Sequence, residues 1–238
     1  MSERSYPVPW DLLFGLGPNI AKRVPTSVDL FTAEVCSRIQ PEPLVVGWEN
    51  LPASPKFTLL ANHYQRKGLW ILHPAAVLTQ AMRRHYGPGD PPVRWIVTAN
   101  WPRVRLGRFS FRSPGDILLP RVAAALECYP VSFAGTNQAF TARTIRRILR
   151  DIPRMQRPLG LFPEGVAGSA GKLAAPLPGV ERLLALFARA GLPVVPAGIA
   201  EIEGRLSFRF GPTLPVEALL AAPNAAGLAM EAVKALLY

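Results

Sequence analysis

The chain has 238 residues, 49% of them hydrophobic, and a formal net charge of +11. That length suits one sizeable core in a single domain, and no apolar run reaches the roughly 18 to 20 residues that a membrane-spanning helix needs. Two cysteines, Cys36 and Cys128, and three histidines exclude a disulfide framework and give a metal site no support, so neither a metal nor a resident cofactor is expected.

The N-terminal stretch 6–23 combines Tyr6, Trp10, Leu12, Leu13 and Phe14 with Lys22 and Arg23. Aromatic and aliphatic groups beside basic ones suit a membrane interface, and a core-docking arm is the equal competitor. No basic segment followed by a long apolar core opens the chain, so it does not read as a secretory signal. The expected division is a short helical arm over 1–40 and a single domain over 41–238. An apolar run predicts a strand over 57–61, and helical spacing of Leu69, Leu72 and Ala76 predicts a helix over 69–84. A strand follows over 95–98.

Arg103, Arg105, Arg108 and Arg112 are then interleaved with Trp101, Phe109 and Phe111. No helix-turn-helix or RNA-binding pattern accompanies them, so nucleic acid is not the expected partner. Next come a helix over 117–126, a strand over 128–133 and a helix over 141–155. That helix carries an arginine stripe, Arg143, Arg146, Arg147, Arg150 and Arg154, opposite Ile145, Ile148, Leu149 and Ile152. The stripe reads either as a solvated face or as a contact for anionic lipid or an acidic carrier protein. The remaining elements are strands over 159–162, 194–199 and 206–210, with helices over 180–190, 216–221 and 226–237. Strands alternating with long helices predict an α/β sandwich around a mostly parallel or mixed sheet. Ligands in such sheets bind beyond the strand C-termini, so the residues that follow each strand carry the chemistry.

Two strands end suggestively, the first in Asn62-His63 and another in Pro163-Glu164-Gly165. The glycine-rich stretch after Gly165 fails the phosphate-loop register, because Val166 and Leu173 stand where a glycine and a hydroxyl are needed. No Gly-x-Ser-x-Gly surrounds Ser169, so a hydrolase elbow is also unsupported. A flexible, glycine-rich loop, with Lys172 available to a phosphate, is the better reading.

The ordered set "NHYQRKG", then "LGLFPEG", then "AGLPVVPAGI" resembles the glycerophospholipid acyltransferase family, of the lysophosphatidate (1-acylglycerol-3-phosphate) O-acyltransferase type. The lead-in "VVGWENLPASPKFTLLANH" and the tail "FGPTLPVEALL" extend the resemblance over most of the chain. It implies a glycerol-3-phosphate acyltransferase-like sandwich. It also implies transfer of a fatty acyl group from an acyl-coenzyme A or acyl-carrier protein to a hydroxyl of a lysophospholipid or related lipid. His63 would be the general base. Glu164 and Gly165 would build the acceptor site, with Asn62 fixing the local turn or touching substrate, and Arg66 and Lys172 would serve binding. The implied place is cytoplasmic, peripheral on the inner face of the cell membrane, with an anionic membrane surface as partner.

Three positions depart from the family pattern. Gly68 stands where an aspartate would orient the imidazole, and Arg66 and Lys67 beside it would, if close, lower the His63 pKa. Val166-Ala167 replace a threonine-arginine pair, and Ser132 takes the place of an acidic residue with no arginine after it. Asp116 and Glu127 are the sequence's candidates for a substitute orienting carboxylate. The competing reading is a catalytically silent lipid- or acyl-binding relative of the same fold.

Overall fold

The computed structural model describes residues 6–22, 24–88, 92–99, 104–106, 109–111, 115–132, 137–165 and 173–237, with the backbone alone at 104–106, 109–111 and 115–117. Three short helices, α1 (Trp10–Gly15), α2 (Gly17–Lys22) and α3 (Val28–Ser37), precede strand β1 (Leu44–Val46) and the central strand β2 (Thr58–Ala61). Then follow α4 (Leu72–Tyr86), β3 (Arg94–Thr98), a separate hairpin of β4 (Val104–Leu106) and β5 (Phe109–Phe111), and α5 (Gly115–Ala125). Strand β6 (Tyr129–Val131), α6 (Gln138–Asp151), β7 (Leu159–Leu161) and α7 (Val180–Arg189) lead to β8 (Val194–Ile202), β9 (Arg205–Phe210), α8 (Val216–Ala221) and α9 (Ala225–Lys234).

The main sheet has seven strands in the order β1-β9-β8-β2-β7-β3-β6. All neighbours run parallel except β8 and β9. The α/β sandwich expected from alternating strands and helices is therefore present, and the single antiparallel pair has a local cause. Glu203 and Gly204 both hold positive φ, 52° and 74°, which is the two-residue turn that closes a tight hairpin. That turn also carries β8 three residues past the expected end, because Ile202 pairs with Arg205.

Every residue of β2 is buried, as a central parallel strand covered on both faces requires. Leu59 and Ala61 point into a cluster with Trp95, Val195, Ala197 and the α4 residues Leu78 and Met82. Leu60 points the other way, toward Ile148 of α6, Leu184 and Phe187 of α7, and Val233 of α9. A third cluster joins Leu16, Phe31 and Val35 to Ala76 of α4. The N-terminal arm thus docks on α4 through part of its apolar set, while Trp10 and Phe14 stay 52% and 74% exposed. On α6 the expected two-sidedness holds, with Ile148 buried and Arg143, Arg146, Arg147 and Arg150 exposed. Short strand β1 and the hairpin β4–β5 were not expected from the sequence. Arg103, Arg108, Arg112 and Trp101 of the arginine-aromatic cluster lie outside the described residues.

Candidate active site

Strand register brings the two suggestive motifs together. Thr58 pairs with Leu159, so counting five residues along each parallel strand sets His63 beside Glu164 at the C-terminal rim. The backbone N–H of His63 donates to Glu164 Oε2. Glu164 Oε1 accepts from the N–H of Ala174 at 2.7 Å, so one carboxylate ties the histidine strand to the segment that begins at residue 173. Glu164 is 1% exposed. Burial pushes its carboxyl above the usual carboxylate range, and the two amide donors pull it part of the way back.

Phe162-Pro163-Glu164-Gly165 is a tight turn, closed by the Gly165 N–H donating to the Phe162 carbonyl at 3.2 Å. Gly165 takes φ 63°, and a Cβ there would lie 2.2 Å from Leu177 Cδ1. What approaches this glycine is the chain's own returning segment, fastened by Leu177 N–H on the Pro163 carbonyl at 2.8 Å. Lys172 lies outside the described residues.

Asn62 is equally committed within the fold. Thr58 also pairs with Val194 on β8, and one strand-length on, the Asn62 amide meets Ile199. Its Nδ2 donates to the Ile199 carbonyl at 2.9 Å, and its Oδ1 accepts from the Ile199 N–H at 2.7 Å. Of the two roles open to Asn62, fixing the local chain is the one visible in these bonds. Arg66 forms a forked pair with Glu201, Nε to Oε2 and Nη2 to Oε1 at 2.7 Å each, with side chains only 9% and 12% exposed.

The imidazole of His63 sits edge-to-face on Phe162, at 5.6 Å and 71° between planes. Phe162 in turn stacks on Trp95 at 4.7 Å and 5°, and the Trp95 indole N–H donates to Thr79 Oγ1 at 2.9 Å. Trp95 reaches this position across Gly160, where a Cβ would lie 2.3 Å from its Cε3. A packed aromatic column therefore holds the ring. His63 Nδ1 is buried and has no hydrogen-bond partner among the described residues. Desolvation lowers the His63 pKa below 6.5, so the neutral base form dominates at neutral pH. The direction agrees with the sequence expectation, but the cause is burial rather than Arg66, whose charge is balanced by Glu201.

Gly68 has its own structural reason. Arg66 and Leu69 exchange backbone hydrogen bonds of 3.2 and 2.9 Å around a two-residue turn, and Gly68 holds it at φ 77°. That conformation disfavours any side chain. The Gly68 carbonyl also accepts from the Tyr6 N–H at 2.6 Å. Glu127, one candidate substitute acid, precedes β6 and therefore lies at the opposite, N-terminal rim of the sheet, where Arg94 Nε donates to its carbonyl. The side chain of Asp116, the other, is outside the described residues. Ser132, in place of the family's acid, accepts from the Asn137 N–H at 2.8 Å and helps start α6.

Sequence reasoning missed Glu201, Trp95, Gly160 and Ile199 as parts of the site. The glycine in "LGLF", facing a tryptophan on a neighbouring strand, was the one available signal. No group of histidine, cysteine and acidic side chains suited to a metal occurs among the described residues.

No family model matches the chain, and no curated protein matches it. Among solved structures, it is similar to the 1-acyl-sn-glycerophosphate (LPA) acyltransferase PlsC from Thermotoga maritima. The similarity has a TM-score of 0.55 at 15% sequence identity and covers 87% of this chain and 76% of that one. The seven-stranded, mostly parallel sheet with its flanking helices matches the PlsC acyltransferase fold.

Proposed function

We propose that the protein transfers a fatty acyl group from an acyl thioester, acyl-coenzyme A or acyl-carrier protein, to a hydroxyl of a lysophospholipid or related lipid. The observation that carries this reading is the register that puts His63 and Glu164 side by side at the ligand-binding rim of an acyltransferase fold. His63 Nε2 takes the acceptor's hydroxyl proton as the oxygen attacks the thioester carbonyl. Collapse of the tetrahedral intermediate breaks the C–S bond, and the imidazolium returns the proton to the leaving thiolate. Glu164 positions the His63 backbone.

The membrane-surface part of the reading is supported by an exposed aromatic patch beside the same rim. Trp10 meets Trp70 edge-on at 5.3 Å and Phe14 at 6.1 Å, and Trp70 follows the Gly68 turn directly. Such rings suit the headgroup layer. No helix among the described residues is long and apolar enough to cross a membrane, and the proposed site of action is the inner face of the cell membrane.

Thioester release, measured with both donor types against a panel of lysolipids and other alcohols, tests the proposal. His63→Ala is expected to abolish acceptor-dependent release, and release at the unmutated rate removes His63 from the chemistry. A second reading, a silent lipid- or acyl-binding relative, is favoured by one observation, an Nδ1 with no partner among the described residues. It predicts saturable binding of acyl donor or lysolipid with no turnover in either the wild-type or His63→Ala protein.

A further inference from the structure

A charged cavity opens at the opposite rim of the sheet from His63, where β3 and β6 begin and α6 ends. Its volume is about 710 Å³, and its walls include Arg94, Tyr129, Arg150, Asp151, Arg154 and Arg157. Arg94 is level with Leu159, and hence with Thr58. His63 lies five residues further along the strand direction, about 16 Å at the usual rise of a parallel strand. The cavity is therefore separate from the candidate active site.

Its floor is rigid. Arg94 Nε donates to the Glu127 carbonyl at 2.8 Å and Nη1 to the Tyr129 hydroxyl oxygen at 3.0 Å. The guanidinium lies 4.3 Å from the Tyr129 ring centroid. Tyr129 donates to Asp151 Oδ2 at 2.8 Å, and burial together with that bond pushes its phenol up to about 12, so it stays a donor. The walls are open. Arg150 is 78% exposed with its nearest carboxylate oxygen 4.0 Å away, and Arg154 has no ion-pair partner among the described residues. Arg157 stands 3.7 Å from Glu127 and Arg147 stands 3.8 Å from Asp151. Five arginines thus surround two carboxylates, leaving an excess of three positive charges among the described residues.

An excess of that size is not balanced by one carboxylate or one monovalent ion. Arginine forks match phosphate oxygens in paired hydrogen bonds, and the volume lies within the roughly 300 to 1,000 Å³ typical of small-ligand sites. We propose that this cavity is a second binding site, for a ligand carrying a diphosphate group. Arg94 supplies a fixed donor on the floor, and Arg150 and Arg154 close on the phosphates from the walls. The diphosphate comes either from a free nucleotide or from coenzyme A, which share it.

Calorimetric titration of the full chain with pyrophosphate, ADP and coenzyme A, at low and at physiological salt, tests the site. Comparable binding of all three is expected, weakening as salt rises. The Arg150→Ala/Arg154→Ala protein is expected to bind at least tenfold more weakly. Both side chains are exposed, and thermal unfolding of the double variant checks that the fold is intact. His63→Ala is expected to bind pyrophosphate as the wild type does, which keeps this test independent of the acyl-transfer reading. Binding of ADP and pyrophosphate but not coenzyme A assigns the site to free nucleotides, and stronger binding of coenzyme A assigns it to the coenzyme. Either result supports a diphosphate site. Absence of pyrophosphate binding overturns the proposal. So does affinity unchanged in the double variant, or Arg150/Arg154-dependent attachment to anionic phosphatidylglycerol vesicles without binding of any soluble phosphate.

Discussion

Removing the Glu164 carboxylate separates its role as a strut from any role in the chemistry. In the wild type its two oxygens satisfy two backbone N–H groups, those of His63 and Ala174, in a residue 1% exposed. Glu164→Ala leaves two part-buried donors without protein acceptors, and since a fully buried one costs about 1 to 3 kcal/mol, a loss toward the low end, roughly 2 to 4 kcal/mol for the pair, is expected. Glu164→Gln keeps one acceptor oxygen and sets an NH₂ group against the other donor, a cost of about 1 to 3 kcal/mol, offset in part because a neutral amide is easier to bury. The order of stability should be wild type, Gln, Ala, read from urea unfolding with two-state extrapolation. The pH dependence adds a second check. Burial raises the Glu164 pKa above 4.5, so the folded state holds this proton more tightly than the unfolded chain does. The favourable contribution of the protonated carboxyl is full below 4.5 and is lost as pH rises through the raised value. Wild-type stability measured against Glu164→Gln should therefore decline with rising pH across that window. An alanine variant as stable as the wild type would refute the strut, and a difference that grows with rising pH would refute the raised pKa.

Three further outcomes are expected. Because burial lowers the His63 pKa below 6.5, the acid limb of kcat/KM should have its midpoint below pH 6.5, with the base form active above it; a midpoint above 6.5 contradicts the buried, neutral imidazole. Gly160→Ala places a Cβ 2.3 Å from the Trp95 ring, which should displace the aromatic column under His63, cost about 1 to 3 kcal/mol and lower thioester turnover. An unchanged thermal midpoint with full turnover would show that the column does not hold the ring. Gly68→Asp restores the family's acid but forces a side chain to φ 77°, at about 1 to 3 kcal/mol. The variant should be less stable and no faster, and a rise in kcat would mean that the turn can yield a carboxylate to Nδ1.

Much of the frame was legible in the chain because it depends on local pattern. The mostly apolar run 57–61 reads as a strand, and the opposed arginine and aliphatic stripes on 141–155 read as a helix with one buried side. Short elements escaped, since three residues of β1 or of each hairpin strand carry too little periodicity to separate from loop. The register of β2 with β7 and β8 was open in the sequence, although its consequence, His63 beside Glu164, was implied by the paired motifs.

The sequence by itself determined the fold class, the two motif ends and the acidic position missing at Gly68. The tertiary structure decided what those residues do with their bonds. Asn62 is spent on Ile199, 137 residues away, and Arg66 on Glu201, 135 residues away. Contacts over such separations follow from sheet order and register, which no local pattern encodes. The aspartate's absence also changed meaning. Gly68 is the residue a positive-φ turn requires, and the imidazole is held by packing from Phe162 and Trp95, while its buried Nδ1 has no partner among the described residues.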